Sequence, residues 1–227
     1  MGHKTHPAGF RVGITQNWDS KWFTISKNEF SKNLVEDTKI RNFIKSNFDY
    51  AGIPRLEIAR TEDRVTVDLY TARPGVVIGR RGVEVDRIRD EIQEITGKQV
   101  EINIKEITDP FVDAQLIAEN VALQLVKRTH FRRAMKRAVN QAMESGAKGV
   151  KIKCSGRLGG AEIARSEWYK DGKIPLQTLR AEVSYGFAEA KTKYGVIGVK
   201  VWLYRGDLIM DKEKEKVGTD ATDTKKG

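Results

Sequence analysis

The sequence predicts an α+β protein of two domains, and three features of the 227-residue chain lead to this class. Apolar periodicity in residues 29–108 changes in the order helix, strand, strand, short helix, helix, strand. In residues 109–206 two helical patterns precede three alternating runs, which is typical of two helices packed on an antiparallel sheet. Asp109-Pro110 separates the two patterns, because a residue that precedes proline avoids helical backbone.

The chain begins with residues 1–28, which mix glycine, basic and aromatic residues without clear periodicity, and we expect an extended arm. From Glu29 to Phe48 apolar residues recur at approximately helical spacing, which predicts the first helix of the domain. Two alternating runs follow, at 56–58 and 65–69, and predict a hairpin.

A Gly-Arg-Arg-Gly loop lies at the centre of the first domain. The short apolar turn 75–78 leads into this loop, and apolar residues then recur every three or four positions from Val85 to Ile95. That spacing predicts an amphipathic helix. Alternation from Val100 to Ile104 predicts the strand that completes the domain.

The second domain begins after the Asp-Pro break. One helical stripe covers 114–125, and a second helix is predicted from Phe131 to Glu144. Alternating runs at 150–154, 181–187 and 199–203 predict the sheet, with a glycine-rich loop and a turn between them. Residues 207–227 alternate lysine and glutamate with few large apolar residues, which predicts a disordered tail.

Composition excludes several classes of protein. One cysteine rules out a disulfide scaffold and a four-thiolate zinc site, so we expect a reducing compartment, with the cytoplasm as default. The N-terminus has no apolar segment of the kind found in signal peptides, and no run approaches the ~20 apolar residues of a membrane span. We therefore expect neither export nor a membrane partner.

The net charge of +10 indicates a polyanionic partner. Residues 207–227 hold five lysines and six acidic residues and so carry −1, which leaves +11 on the folded body. Nucleic acid is the partner that such an excess favours. The alternative is that the charge serves only solubility.

The loop Gly79, Arg80, Arg81, Gly82 is a candidate RNA contact, because glycines let backbone N–H groups approach a phosphate at the start of a helix. The G-x-x-G pattern alone is weak, since the chain contains it four times. This copy lies between two apolar helical segments, after a hairpin and before a strand, and the element order resembles a type 2 KH domain. The alternative is an ordinary helix connection with exposed arginines.

The predicted helix 131–144 has one basic face. At about 100° per residue, Arg132, Arg133, Lys136 and Arg137 lie within about 140° of one another, and the apolar residues occupy the opposite side. Lys127 and Arg128 precede this face, and residues 126–137 contain no acid. A solvated face usually intersperses acids, so the pattern favours a phosphate backbone as partner. The alternative is a purely solvated face.

Further basic residues follow this helix along the chain. Lys151 and Lys153 alternate with Val150, Ile152 and Cys154, so we expect them on the opposite face of the strand, with Cys154 in the core. Arg157 and Arg165 lie in the glycine-rich region beyond. No pattern here reads particular bases, so the sequence predicts affinity rather than selectivity.

The sequence gives no catalytic pattern. A Walker A run, which a nucleotide triphosphatase of that type needs, is missing. The histidines and the lone cysteine do not have the spacing of a zinc site. A catalytic pair of Cys154 and His130 would need the cysteine on the polar side of its strand, whereas we expect it on the apolar side. We therefore expect no enzyme activity, no cofactor and no metal.

Five segments in order carry a family resemblance, and they read MGHKTHPAGFRVGITQNWDSKWF, RPGVVIGRRG, FRRAMKRAV, AKGVKIKCSGRLGGAEIARSEWY and YGVIGVKVW. Together they closely resemble the bacterial-type small-subunit ribosomal protein S-three family, over about residues 1–206.

The resemblance implies a structural protein of the small-subunit head that binds ribosomal RNA and sits beside neighbouring head proteins in the cytoplasm. It also implies that Arg132, Arg133 and Lys136 contact incoming mRNA and assist its passive unwinding, and that Arg157 and Arg165 contact ribosomal RNA. Two alternatives stay open, namely a free-standing KH regulator of single-stranded mRNA and an enzyme that acts on RNA.

Overall fold

The computed structural model of the chain describes residues 4–208, apart from the side chains of Asp49 and Arg81. In this range the helices are α1 Pro7–Arg11, α2 Lys27–Asn47, α3 Pro74–Ile78, α4 Val83–Thr96, α5 Ala114–Val126 and α6 Phe131–Glu144. The strands are β1 Ser20–Lys21, β2 Arg55–Arg60, β3 Arg64–Thr71, β4 Gln99–Glu106, β5 Gly149–Gly156, β6 Arg165–Gly172, β7 Ala181–Thr192 and β8 Gly195–Asp207. None of the helices in this range is long and apolar enough to cross a membrane.

The described residues divide into two compact units. Residues 18–110 form one unit, and residues 4–17 pack with residues 111–208 to form the other. The boundaries at 28/29 and 108/109 that we drew from the sequence stay predictions. Of the tail predicted from 207 onward, Asp207 is the last residue of β8, and residues 209–227 lie outside the described range.

The first unit has the predicted order α2, β2, β3, α3, α4, β4. Strands β2 and β3 pair as an antiparallel hairpin, and β4 pairs parallel to β3. The alternation in β3 buries Val65, Val67 and Leu69 under the helices, where Ile40 and Ile88 are also buried. The predicted α+β class is therefore confirmed for this unit.

Residues 18–26 of the expected extended arm belong to this unit. Strand β1 pairs parallel to β2, at Ser20 with Ile58 and Lys21 with Ala59. The buried carboxylate of Asp37 fixes this segment, because it accepts hydrogen bonds from Trp22 Nε1 at 2.8 Å and from Ser20 Oγ at 3.1 Å. A two-residue strand has no periodicity, so the sequence could not show it.

The second unit is a four-stranded antiparallel sheet in the order β6-β5-β8-β7, with α5 and α6 on one face. Its core joins the apolar sides of both helices to Val150, Ile152 and Cys154 of the sheet. The prediction of three strands was wrong by one, because β6 lies in what we read as a glycine-rich loop and turn. Strand β6 is an edge strand whose residues are mostly exposed, so it lacks the hydrophobic signal of a buried strand.

Residues 4–17 form the rest of the expected arm and contain the short helix α1. Arg11 at its end is fully buried without a carboxylate partner among the described residues. Its guanidinium instead donates hydrogen bonds to five backbone carbonyls, those of Pro7, Pro175, Leu176, Thr178 and Ala181. Burial lowers the pKa of Arg11 from its usual value. This residue anchors the N-terminal segment to the sheet.

Candidate nucleic-acid interface

Helix α6 is amphipathic, as predicted. Its buried side consists of Phe131, Ala134, Met135, Ala138, Val139 and Ala142. These residues belong to the core of the second unit, and the cations on the opposite side are exposed. Packing therefore fixes which way the basic face of α6 points.

The basic face of α6 borders two neighbouring depressions in the surface. The larger has a volume of about 740 Å³ and is lined by His130, Arg132, Arg133, Lys136, Arg137, Asn140, Gln141 and Glu144. The smaller, of about 490 Å³, lies between α5 and α6 and is lined by Asn120, Gln124, Thr129, Arg133, Arg137 and Gln141. Arg133 and Arg137 line both, so a ligand in either depression meets two guanidinium groups and several side-chain amides.

Arg132 differs from the other cations of this face. Its Nε and Nη2 donate to the two carboxylate oxygens of Glu167, at 3.0 Å and 3.1 Å. These hydrogen bonds lower the pKa of Glu167 and raise that of Arg132. The expectation of a basic face without any carboxylate was therefore wrong at Arg132, because Glu167 lies on the strand that the sequence did not reveal.

The remaining cations of the face have no such partner. Arg133, Lys136 and Arg137 form no salt bridge with another residue in the described range. Lys136 Nζ lies 5.6 Å from the ring centroid of Tyr169, which is a cation–π distance. Three cations within little more than one turn of helix are thus available to an external anion.

Lys127 and Arg128 lie in the turn between α5 and α6, and both are exposed. Lys127 is the C-cap of α5, and Arg128 has a φ of 61°. Left-handed backbone is unfavourable for arginine and serves here to reverse the chain within a tight turn. The structure therefore brings both cations close in sequence and space to the start of α6, as predicted.

The Gly-Arg-Arg-Gly loop belongs to the other compact unit. Gly79 and Gly82 have φ of 68° and 84°, and a Cβ at Gly79 would collide with the side chain of Glu84. Arg80 is exposed, whereas the side chain of Arg81 lies outside the described part of the chain. The next helix begins with Glu84 and Asp86, which oppose a phosphate at this terminus. The phosphate-binding role that we assigned to the loop stays a prediction.

The other predicted site residues lie in different places. Lys151 and Lys153 point away from the core on β5, as predicted, and so lie on the face of the sheet opposite α6. Arg165 shares the Glu167 carboxylate with Arg132, at 3.4 Å. Arg157 Nε donates to the carbonyl of Ala161 at 2.9 Å, which holds the glycine-rich loop.

Cys154 is fully buried, and burial raises its pKa to about 12. This confirms the prediction of a core cysteine. Within residues 4–208 no group of three or more His, Cys, Asp or Glu side chains is placed to hold a metal ion.

Sequence reasoning missed Glu167, Trp168, Lys200 and Trp202. Glu167 and Trp168 lie on opposite sides of β6, and each side of this strand carries one aromatic residue among polar ones, so no hydrophobic alternation marks it in the sequence. Lys200 and Trp202 lie on a predicted strand whose apolar residues drew attention to the other face.

Two family models match this chain. Residues 121–203 match the model described as ribosomal protein S3, C-terminal domain, and residues 39–110 match the KH domain model.

Curated relatives match over nearly the full length. A small ribosomal subunit protein uS3 from Carboxydothermus hydrogenoformans is 55% identical, over 97% of this chain and 99% of that protein. The protein of the same name from Desulforudis audaxviator is 56% identical, over 96% of this chain and 100% of that protein. The uS3 of Lawsonia intracellularis is 55% identical, over 95% of this chain and 100% of that protein.

Proposed function

The chain belongs to the ribosomal protein S3 family, and on that premise we propose that it is a structural component of the small ribosomal subunit that binds ribosomal RNA in the subunit head and lines the mRNA entry side. The observation that carries the proposal is the face of α6, where Arg133, Lys136 and Arg137 stand exposed without carboxylate partners in the described range, above a buried apolar side.

The chemistry of this face suits a phosphate backbone. Arginine presents planar donors that match phosphate oxygens, and Arg133 and Arg137 line both depressions beside α6. Contacts of this kind position a nucleic acid without reading its sequence. That property suits a channel through which every message passes.

Passive unwinding follows from the same chemistry. A face that holds phosphates of the incoming message resists its backward movement, so that base pairs opened as the ribosome pulls the message inward do not re-form. No nucleotide hydrolysis is needed for this step, which agrees with the missing Walker A pattern. Arg132 contributes less than its neighbours, because a phosphate must displace Glu167 to reach its full set of donors.

The test compares two triple variants of equal charge loss. Arg133→Ala, Lys136→Ala and Arg137→Ala together remove about three phosphate contacts, so the slope of log affinity against log salt for duplex RNA should fall by about 2.7. The matched control changes Lys32, Lys39 and Lys45, three exposed lysines of α2, to alanine. We expect the control to keep most of the wild-type slope.

Two functional readouts complete the test. Both variants should cosediment with small subunits after a high-salt wash, because neither set of residues is buried. Translation of a message with a stable hairpin should fall for the α6 variant relative to an unstructured message. Equal losses on the two messages would contradict the unwinding role, and a wild-type protein that stays in the free fractions would contradict the ribosomal role.

A further inference from the structure

The outer face of the sheet of the second unit includes Lys151 and Lys153, which the sequence singled out. The N-terminal segment packs beside its β7 end, where the centroid of the His6 ring lies 4.5 Å from that of Tyr185. The inner face of the sheet carries Val150, Ile152 and Cys154 beneath the helices, so the alternate residues point outward. Strand register aligns these outward residues in two rows across β6, β5, β8 and β7. The rows are Trp168, Lys153, Lys200, Phe187 and Lys170, Lys151, Trp202, Tyr185. We call these eight residues the lysine–aromatic face.

The lysines of this face lie in rows without an acid, and the nearest outward carboxylate is Glu189, which ends the adjoining row of Ser166, Ser155 and Gly198. None of the four lysines forms a salt bridge with another residue in the range 4–208. Burial lowers the pKa of Lys151, and repulsion from Lys4, Lys153 and Lys170 lowers it further. The folded protein therefore gathers like charges here, which an external polyanion would relieve.

The aromatic residues lie between the lysines and are partly open to solvent. Lys151 Nζ lies 5.1 Å from the ring centroid of Trp168 and 5.4 Å from that of Trp202. Lys200 Nζ lies 5.9 Å from the ring of Phe187. Trp168 is 57% exposed and Phe187 is 41% exposed. These two rings lie on opposite edge strands, three strand spacings or about 14 Å apart.

We propose that the lysine–aromatic face binds unpaired nucleotides of RNA, with bases stacked on Trp168 and Phe187 and phosphates held by Lys151, Lys153 and Lys200. The proposal rests on the proposed function, which makes RNA the partner of this chain. A four-stranded sheet with exposed aromatic rings offers stacking surfaces that unpaired bases use and that a duplex, whose base faces are already stacked, does not.

The lysines favour RNA over a protein partner. The centres of protein–protein interfaces are depleted in lysine and enriched in aromatic residues and arginine, because burying a strongly hydrated ammonium is costly. Here lysines occupy both middle positions of the first row, Lys153 and Lys200, and one of the two middle positions of the second row, where Lys151 lies beside Trp202. A phosphate backbone, in contrast, can contact lysine ammonium groups that stay partly hydrated.

The experiment measures binding of the full chain to two RNA probes of about 12 nucleotides or base pairs, an unstructured oligouridine and a duplex. Trp168→Ala should weaken oligouridine binding roughly tenfold or more and leave duplex binding nearly unchanged. Trp168→Phe keeps an aromatic ring and should retain most of the affinity. Trp18→Ala, at a tryptophan that is 62% exposed and belongs to the other unit, is the matched control and should bind as wild type does.

Three outcomes separate the possibilities. The proposal is overturned if Trp168→Ala and Phe187→Ala both bind oligouridine as wild type does, provided that circular dichroism shows each variant to be folded. This holds even if the α6 triple variant still loses affinity for duplex RNA. A failure of the proposed function would instead appear as an α6 triple variant with wild-type duplex binding. If Trp168→Ala binds oligouridine normally but no longer cosediments with small subunits, the face contacts a neighbouring protein and the RNA assignment is wrong.

Discussion

The pair formed by Arg132 and Glu167 gives the sharpest prediction, because it ties one cation of the basic face to a carboxylate while Arg133, Lys136 and Arg137 form no salt bridge in the described range. Glu167→Gln keeps the size of the side chain and removes its charge. A neutral amide can accept from one of the two Arg132 donors and repels the other with its own NH₂ group. The change should therefore release Arg132 for an external anion, together with the more distant Arg165 at 3.4 Å, without altering the buried side of α6.

The size of the effect follows from counter-ion release. One additional phosphate contact steepens the plot of log affinity against log salt by about 0.9. Between about 50 and 200 mM salt, the variant should thus lose roughly 3.5-fold more affinity than wild type, starting from tighter binding at low salt. Fluorescence anisotropy with duplex RNA over this salt range measures both quantities.

The pH dependence has a definite sign. Hydrogen bonds from Arg132 hold the pKa of Glu167 below its usual value, so the ion pair is complete at neutral pH and is lost as pH falls through that lowered pKa. Protonated Glu167 is neutral, as glutamine is. Wild type should therefore approach the affinity of Glu167→Gln in acid, and the two proteins should differ most near neutral pH.

The control variant removes a carboxylate charge whose loss frees no arginine. Glu144 lines the same depression and forms no salt bridge with another residue in the described range. Glu144→Gln should raise affinity slightly through the general field and keep the wild-type slope. Parallel salt plots for wild type and Glu167→Gln would refute the reasoning, since they would mean that Arg132 faces no phosphate even when free.

Two further predictions concern the parts of the second unit that support this face. Arg11→Ala removes a buried guanidinium that donates to five carbonyls, so the free energy of unfolding should fall by about 3 kcal/mol in urea titrations, and Arg11→Lys should not restore it. Arg128→Gly relieves the left-handed backbone at φ 61°, so the free energy of unfolding should rise by up to about 1 kcal/mol. The affinity for duplex RNA should fall, because a cation is lost. A drop in the melting temperature would contradict the strain argument.

Periodicity in the sequence was sufficient for the long elements of both units. The bounds predicted for α6 agree with the structure, as does the division of its residues into buried and exposed sides. Such elements bury one side against a core, so the spacing of their hydrophobic residues predicts both the type of element and its buried side. The hairpin of β2 and β3 was predictable for the same reason.

The elements that the sequence did not reveal depend on distant partners. Strand β1 is held by Asp37, and α1 ends at Arg11, whose carbonyl partners lie more than 160 residues away, apart from that of Pro7. Strand β6 pairs along one edge with β5 and leaves most side chains exposed. None of these interactions has a local signature, and the pairing of Arg132 with Glu167 could not be foreseen once β6 was missed.

The register of β6 decides the chemistry of two surfaces at once. Its alternation sends Glu167 toward α6 and Trp168 toward the lysines on the other face, opposite Cys154 and Lys153 of β5. A slip of one residue would exchange them and place a carboxylate among the lysines. Two glycines prevent this slip, because Gly149 pairs with Gly172 so closely that a Cβ on either would collide with backbone of the adjoining turn. A side chain at either position would therefore require the turn to move, and the register that the pair fixes places Glu167 beside Arg132 and Trp168 beside Lys153.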